Sequence, residues 1–503
     1  MTTVPEHVDV LIVGAGLSGI GAAHHIQSAF PERTYAIVEA RETTGGTWDL
    51  FRYPGLRSDS DMYTLGYQFR PWTRANAIAD GKSILRYIRD TAAESGIDRY
   101  IHVGHRVVRA EWSSESARWT VAARHGAETV TVTCDFLYVC SGYYHYDAGH
   151  TPQFPGIERF GGTVCHPQAW PQDLDYAGKK VVVIGSGATA VSLVPAMADQ
   201  AAHVTMLQRS PTYILARPRE DSLARTLQRV LGSRRAYSVV RWRNILKSTL
   251  LYQIGQRRPD FVRSAIRKAT IRQLPPGYDV DTHFRPSYRP WDQRVCLAAD
   301  GDLFSTIRSG RVSVVTDHIE EFTETGLRLE SGAELEADIV VTATGLRMLA
   351  LGGIQLGVDG HDIELPETMS YKGMMLSGVP NFAFAFGGVK ISWTLGADLT
   401  AEYVVRLLRY LDVHGYEQCV PINDDPTRAT RSMLDLQSGY VQRSVHEFPM
   451  AGSRFPWKVP SYVINLFRLR NGRIDDGVLR FSRRSGTRTS SRSPRFAGSR
   501  ALS

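Results

Sequence analysis

Cysteine is scarce in this chain of 503 residues. The five that occur, Cys134, Cys140, Cys165, Cys296 and Cys419, are scattered and form no CxxC pair. That excludes a disulfide scaffold and a zinc site, and it fits a reducing compartment. No run of eighteen apolar residues is present, so no membrane-spanning helix is expected. Residues Met1 to His7 lack a basic region followed by an apolar stretch, so no secretory leader is expected either. No GxSxG elbow stands before a helical stretch, and nucleophilic-serine hydrolysis therefore has no support. What remains, 43% hydrophobic and 22% charged residues, is the composition of a soluble globular protein. At roughly 150 residues per domain the length suits two to four of them. The expected location is cytoplasmic.

Acidic residues are missing from two segments. Residues 222–274 hold thirteen Lys/Arg and one acid, Asp260, and residues 482–503 hold six Arg and no acid. The rest carries 40 basic and 50 acidic residues, so the net charge of +8 comes from two basic segments on an acidic body. Within the first segment Leu223, Leu227, Val230 and Leu231, then Val239, Trp242, Ile245, Leu246 and Leu250, recur at spacings of about three and four. That predicts amphipathic helices, closed by Pro275-Pro276-Gly277. The tail from Ser482, rich in Ser and Arg without periodicity, predicts disorder. No nucleic-acid fold accompanies the charge, and no nucleic-acid partner is expected. The basic helices read either as a solvated face or as a peripheral contact with the inner face of the cell membrane, through Arg241, Arg243 and Lys247.

Two strand–glycine turn–helix units dominate the chain. In the first, Val8 to Val13 leads into Gly14-Ala15-Gly16-Leu17-Ser18-Gly19 and a helix to about Ala29. In the second, Lys180 to Ile184 leads into Gly185-Ser186-Gly187-Ala188-Thr189-Ala190 and a helix from Val191 to about Ala198. Continuous apolar, β-branched runs of this length are strands buried on both faces of a parallel sheet. The glycines permit a tight turn and close approach of backbone to a pyrophosphate at the helix N-terminus. Glu39, twenty residues after Gly19 and at the end of the strand Tyr35 to Val38, suits a ribose diol. At the corresponding place in the second unit stand Arg209 and Ser210, with no acid. Arg209 reads either as a surface residue or as a partner for a ribose 2′-phosphate, and the latter selects NADPH. Two dinucleotide sites in one chain imply a flavoprotein in which nicotinamide hydride reduces FAD. Lack of a redox cysteine pair argues against the disulfide reductases. The expected fold class is α/β, with two dinucleotide-binding (Rossmann-like) domains, for FAD and NADPH, and a helical insert. Trp112 and Trp119 are expected in the core, and no metal site is expected.

Two further motifs are more specific. Phe160 to Pro171 fits FxGxxxHxxxWP, with His166 and Trp170 at its fixed positions. Gly45-Gly46-Thr47-Trp48, followed by Tyr53-Pro54-Gly55 and Asp59, forms the second. Both resemble the fingerprints of type I Baeyer–Villiger monooxygenases, of the flavin-containing monooxygenase superfamily. Stretches such as Pro290-Trp291-Asp292-Gln293-Arg294 look like the ethionamide-activating branch, and the resemblance runs from Val8 to about Phe481. It implies that Arg294 faces the flavin and stabilises negative charge during oxygen transfer, with Asp59 orienting it. It further implies FAD contacts from Ser18, Glu39 and the stretch Thr47-Trp48-Asp49-Leu50, and an adenine contact at Val107. Arg57, Ser58 and Asp59 would lie where nicotinamide meets flavin, and His166 and Trp170 on a linker with a conformational role.

The domains implied are an FAD domain (1–151 and 346–481), an NADPH domain (152–220 and 292–345), a helical insert (221–291) and a basic tail (482–503). The activity implied is NADPH- and O2-dependent insertion of one oxygen atom into a ketone, giving an ester or lactone, with oxidation of thioether or thioamide sulfur beside it. N- and S-oxygenating relatives share the architecture and stay open as the alternative. Gly388-Val389-Lys390-Ile391-Ser392-Trp393 departs from the Tyr-Thr-Asn-Ala-Ser-Trp stretch of close relatives, so the resemblance does not carry over a substrate preference.

Overall fold

The structure is a computed structural model and describes residues 3–293, 295–387, 391–424, 430–434 and 436–483. Most of the tail predicted to be disordered, and Gly388 to Lys390 of the departing stretch, lie outside the described residues. The chain opens with β1 (His7–Val13), α1 (Leu17–Ala29) and β2 (Tyr35–Val38). Two single turns follow, α2 (Thr47–Leu50) and α3 (Met62–Leu65), then α4 (Gly81–Glu94) and β3 (Ile101–His102). An antiparallel run completes this part: β4 (Arg106–Ser113), β5 (Arg118–His125) and β6 (Glu128–Val139).

The second part holds β7 (Thr163–Cys165), β8 (Lys180–Ile184), α5 (Ala188–Met197), β9 (His203–Gln208) and β10 (Ile214–Arg217). Helices α6 (Ser222–Leu231), α7 (Ser233–Arg257), α8 (Pro259–Ile271) and α9 (Val280–Phe284) interrupt it. It resumes with β11 (Cys296–Ala299), α10 (Asp302–Arg308), β12 (Val312–Thr316), the short strands β13 (Ile319–Thr323), β14 (Gly326–Leu329) and β15 (Glu334–Glu336), and β16 (Ile339–Thr342). The chain then returns through β17 (Gln355–Val358), β18 (His361–Asp362), β19 (Ser370–Tyr371), β20 (Met375–Leu376) and β21 (Phe382–Phe384). It continues with α11 (Trp393–His414), α12 (Gly439–Ser444) and α13 (Tyr462–Asn471).

Two sheets organise these elements. The first runs β18-β17-β4-β5-β6-β1-β2-β3, with β21 also paired to β6. The second runs β12-β9-β8-β16-β7 and is parallel throughout. Val10, Leu11 and Ile12 of β1, and Val181, Val182 and Val183 of β8, are almost wholly buried. Each central strand is covered on both faces, so its sequence is uniformly apolar instead of alternating. Trp112 and Trp119 are both fully buried, with ring centroids 5.6 Å apart, as expected of core residues. All five cysteines are free and buried. The α/β class with two dinucleotide-type sheets and an inserted helical segment is as the sequence implies.

The insert is helical, but most of the side chains in its apolar periodicity face outward, Ile245 and Leu227 being the ones that pack inward. Val239, Trp242, Leu246 and Leu250 of α7 are exposed, as are Leu223, Val230 and Leu231 of α6. The buried face carries Ala236, Tyr237, Val240, Arg241, Asn244 and Ile245. Arg241 is only 5% exposed, which corrects its assignment to a basic outer surface. Its guanidinium donates to the carbonyl oxygens of Tyr63 (2.8 Å) and Gly66 (2.7 Å), near the end of α3, and lies 3.7 Å from the Asp398 carboxylate on α11. Those carbonyls have no helical N–H partner, and a planar guanidinium supplies several donors to such a cluster without leaving its own N–H groups unmet. Arg243 is half-buried and bound to Asp221, the residue that caps α6, so it too belongs to the scaffold. Among the described residues no helix is long and apolar enough to cross a membrane.

Replacing Arg241 by Ala would strip the α3 carbonyls of their donors and leave Asp398 with less compensating charge. The expected cost is about 3 kcal/mol, since the loss leaves buried polar groups unmet. Leu246→Ala, on the exposed face of the same helix, should change stability by less than about 0.5 kcal/mol. Thermal unfolding of the two variants checks the contrast; equal losses would contradict this assignment of faces.

Candidate active site

The turn between β1 and α1 is built on close backbone contact. A Cβ at Gly19 would fall 1.8 Å from the Gly14 carbonyl oxygen, so no other residue fits there. Gly14 itself has φ +106° and passes against the Cys140 carbonyl at the end of β6. Gly16 precedes α1 without any side-chain cap, which leaves the first N–H groups of that helix available to an anion. Glu39 is 5% exposed, and its carboxylate accepts from the N–H of Ala15 (2.7 Å) and of Arg41 (2.9 Å). Burial pushes this carboxyl above the usual range, against the pull of those two backbone donors.

These residues open onto a cavity of about 440 Å³. Its wall includes Gly14, Gly16, Ser18 and Glu39, then Gly46, Thr47 and Trp48, and Val107. Arg57, Ser58 and Asp59 line it as well, together with Ala188 and Thr189 from the first turn of α5. Both glycine-turn units therefore border one space. Tyr143, Leu346, Leu349, Ile391 and Trp393 supply an apolar part of the wall. Ser141 Oγ is buried in it without a partner among the described residues. The capless helix start, the buried acid at the β2 end and this unmet hydroxyl all fit a flavin dinucleotide.

Other predicted contacts stand behind the wall. Gly19 supports the turn from inside. The Asp49 side chain is buried and bound by Arg41, Arg52 and Arg89; although burial raises it, Thr43 and these cations hold its carboxyl below the usual range. Leu50 packs toward the second core. In the second unit Gly185 has φ +132° and abuts the Ala343 carbonyl, Gly187 faces open space, and Ala190 and Val191 are core residues. Ser186 Oγ lies 2.8 Å from Thr212 Oγ1, and donates to the Ser210 carbonyl at 3.2 Å. Arg209 and Ser210 are exposed at the end of β9. The charge of Arg209 acts on Arg443, whose guanidinium burial and this neighbour together push down. Neither arginine has a carboxylate within 4.0 Å among the described residues. Sequence reasoning missed Arg443 because it lies more than two hundred residues away with no motif around it. It also missed the role of Trp393, whose indole N–H donates to Ser18 Oγ at 2.7 Å and fixes the start of α11 against that of α1.

The two glycine-turn units are joined by the loop that carries Tyr53-Pro54-Gly55. At Gly55 (φ +78°) a Cβ would lie 2.2 Å from the Ser192 carbonyl of α5, so glycine lets the loop rest directly on that helix. Two residues on, the Arg57 guanidinium is bound by Asp302 at the start of α10 and donates to the Val191 and Leu297 carbonyls, each at 3.3 Å. Asp59 lies in the cavity wall two residues further. Its expected partner Arg294 is outside the described residues. The residue three before it, Trp291, packs on α7, where a Cβ at Gly255 would lie 2.3 Å from the indole.

His166 is not in the cavity wall. Its Nε2 is 3.1 Å from the Gly345 carbonyl, and its Nδ1 accepts from the Gln168 N–H. Gln168 in turn donates to the carbonyls of His145 and Tyr146. The motif thus ties together the outward crossing near 145 and the return crossing near 345. Burial lowers the His166 pKa, with the Gly345 carbonyl opposing, which suits a neutral ring. Trp170 packs at the edge of the second core.

A double-mutant cycle on Arg57 and Asp302 tests the join. Each single Ala variant should lose stability, and the coupling should be about 1 to 3 kcal/mol, as for contacting buried charges. Coupling near zero by thermal unfolding would remove this pair from the join.

Comparison with known proteins places the architecture in context. Residues 75–350 match the flavin-binding monooxygenase-like family, and residues 12–76 an NAD(P)-binding Rossmann-like domain. The FAD-containing monooxygenase EthA of Mycobacterium tuberculosis is 53% identical over 481 residues, covering 95% of this chain and 98% of its own length. The probable FAD-binding monooxygenase AlmA of Acinetobacter baylyi is 47% identical over 486 residues, covering 96% and 97%. Among solved structures, an oxidised steroid monooxygenase bound to NADP aligns with a TM-score of 0.76 at 22% identity, covering 95% of this chain and all of that one, a likeness of fold. This chain belongs to the flavin-binding monooxygenase-like family.

Proposed function

We propose that the protein is an FAD-dependent monooxygenase that takes reducing equivalents from NADPH and transfers one oxygen atom of O2 to a small molecule. The substrate class proposed is ketones, converted to esters or lactones, with thioether and thioamide sulfur as a second class. The observation that carries the reading is the shared cavity: Gly14, Gly16 and Ser18 of the first glycine turn and the first turn of α5 border the same space. A bound FAD supplies hydride acceptance and oxygen activation there.

The chain's own residues do the rest. The start of α1 and Glu39 hold the pyrophosphate and ribose of FAD. Arg209, with Arg443 beside it, binds the 2′-phosphate of NADPH, since two cations without a carboxylate suit a phosphate. Asp59 orients Arg294, whose fixed positive charge stabilises negative charge on the reacting group; such preorganised charge is usually the largest catalytic contribution. Leu346, Leu349, Ile391 and Trp393 exclude water from the reacting end and favour an apolar substrate. On this reading residues 1–151 and 346–481 form the FAD domain, and 152–220 with 292–345 the NADPH domain. The enzyme works in the cytoplasm, with a peripheral contact at the inner face of the membrane. N- and S-oxygenation on the same scaffold is the second reading, since relatives with that chemistry share the architecture.

Purified, flavin-loaded protein given NADPH, O2, a ketone and a thioether together separates the two. Ester or lactone among the products supports the first reading; sulfoxide alone supports the second. Arg294→Ala should lower ester formation roughly 10²- to 10³-fold, the effect of removing one charge-stabilising donor. No change would overturn the role of Arg294. Arg209→Ala should raise KM for NADPH by roughly 10- to 100-fold, equivalent to a lost charged hydrogen bond, and leave NADH little affected.

A further inference from the structure

The exposed apolar side chains are concentrated in one region. Of sixteen large ones exposed among the described residues, ten lie between Leu223 and Ile271. On α7 they form a line: Val239, Trp242, Leu246 and Leu250, at spacings of three, four and four, fall on one face of a helix with 3.6 residues per turn. The buried face of the same helix holds Tyr237, Arg241 and Ile245, so the line points away from the protein. The same helical spacing brings Arg235 to one end of it and Arg257 to the other, with Lys247 at its flank. Phe261, 66% exposed, opens the next helix.

The charge around this line is uncompensated. Of the thirteen cations in 222–274, Arg225, Arg241, Arg243, Arg263 and Arg267 have carboxylate partners. The other eight, among them Arg235, Lys247 and Arg257, have none within 4.0 Å among the described residues. Helix α7 contains no acidic residue at all. A monomeric soluble protein rarely leaves so much contiguous apolar surface uncovered. An apolar line with a tryptophan in it and a rim of cations matches the two layers of an anionic lipid surface. The apolar residues enter the boundary between headgroups and acyl chains, and long basic side chains reach the phosphates. A second copy of this chain fits less well, because a two-fold contact through α7 would oppose cations with no acid to meet them.

We infer that the outward face of α7, from Arg235 to Arg257, docks the protein on an anionic phospholipid surface. This rests on the peripheral-membrane part of the proposed function and is independent of the chemistry. The docking residues are Val239, Trp242, Leu246 and Leu250 with Arg235, Lys247 and Arg257. Arg241 and Arg243, which the sequence alone suggested, serve the scaffold.

The test uses the full-length, flavin-loaded protein and vesicles of phosphatidylcholine with and without phosphatidylglycerol. Cosedimentation is expected only with the anionic vesicles, weakening as salt rises. Two triple variants, Trp242→Ser/Leu246→Ser/Leu250→Ser and Arg235→Gln/Lys247→Gln/Arg257→Gln, should each bind at least tenfold less. Their NADPH oxidation in vesicle-free buffer should match that of the parent, which shows that they fold. Absence of parent binding, equal binding to both vesicle types, or unaltered binding by both variants would overturn the inference. So would a concentration-dependent dimer that the serine variant dissolves in the absence of lipid binding. Vesicle binding by protein that oxidises no NADPH would leave the docking face standing and remove the oxygenase reading instead.

Discussion

The residues between Tyr53 and Gly66 are the constraint on which the rest of the molecule depends. On one side Gly55 lies on the backbone of α5 and Arg57 is gripped by Asp302, so the loop is fastened to the second sheet. On the other side Asp61 caps α3 and accepts from Asn244, while the carbonyls after it receive Arg241. A single short segment thus holds both the helices beside the second sheet and the insert. Asp59, in the cavity wall, sits between these two fastenings. The segment on either side of it is held by α5, by α10 and by the insert.

Charge is used in two unlike ways in this protein. Buried cations such as Arg57 and Arg241 act as multidentate donors to carbonyl clusters that would otherwise be unmet, and the planar guanidinium suits that task better than an ammonium would. Surface cations such as Arg235, Lys247 and Arg257 of the insert meet no acid among the described residues and remain available to something outside the protein. Counting Lys and Arg cannot tell these apart. The net charge of the segment is a sum over residues with opposite roles, and burial decides which role each one takes.

Much of the framework was legible in the sequence. Tyr35 to Val38 and Lys180 to Ile184 were read to the residue, because a strand covered on both faces announces itself as a short, mostly apolar run bounded by polar or glycine residues. The glycine turns were legible because their φ angles and close contacts leave few alternatives. The insert misled in its orientation. Its apolar periodicity was correct as helix, but Arg241 was read as outward-facing, whereas Tyr237, Arg241 and Asn244 bury polar groups against the carbonyls and carboxylates of other elements. No local pattern reveals such partners. Arg443 and the Trp393–Ser18 hydrogen bond were missed for the same reason: residues hundreds of positions apart meet only in the folded chain. Asp49, expected among the FAD contacts, lies outside the cavity wall, and the structure gives its carboxylate to three arginines.

One feature of β6 bears on how the chain comes to be assembled. Its first half pairs with β5, and its second half lies between β1 and β21, where Leu137 to Val139 meet Phe382 to Phe384. β4 similarly waits for β17. The first sheet therefore stays open beside β4 until residue 358 and beside β6 until residue 384 has been synthesised, whereas every strand of the second sheet is present by Thr342. During synthesis, which proceeds from the N-terminus, the second sheet can have all its strands while the first is still incomplete, the reverse of the order in which they begin in the chain. Long-range parallel pairing of this kind is slow and exposes unpaired edges meanwhile. Chain order and order of sheet completion therefore differ: the later-encoded sheet is the one whose strands are all available first.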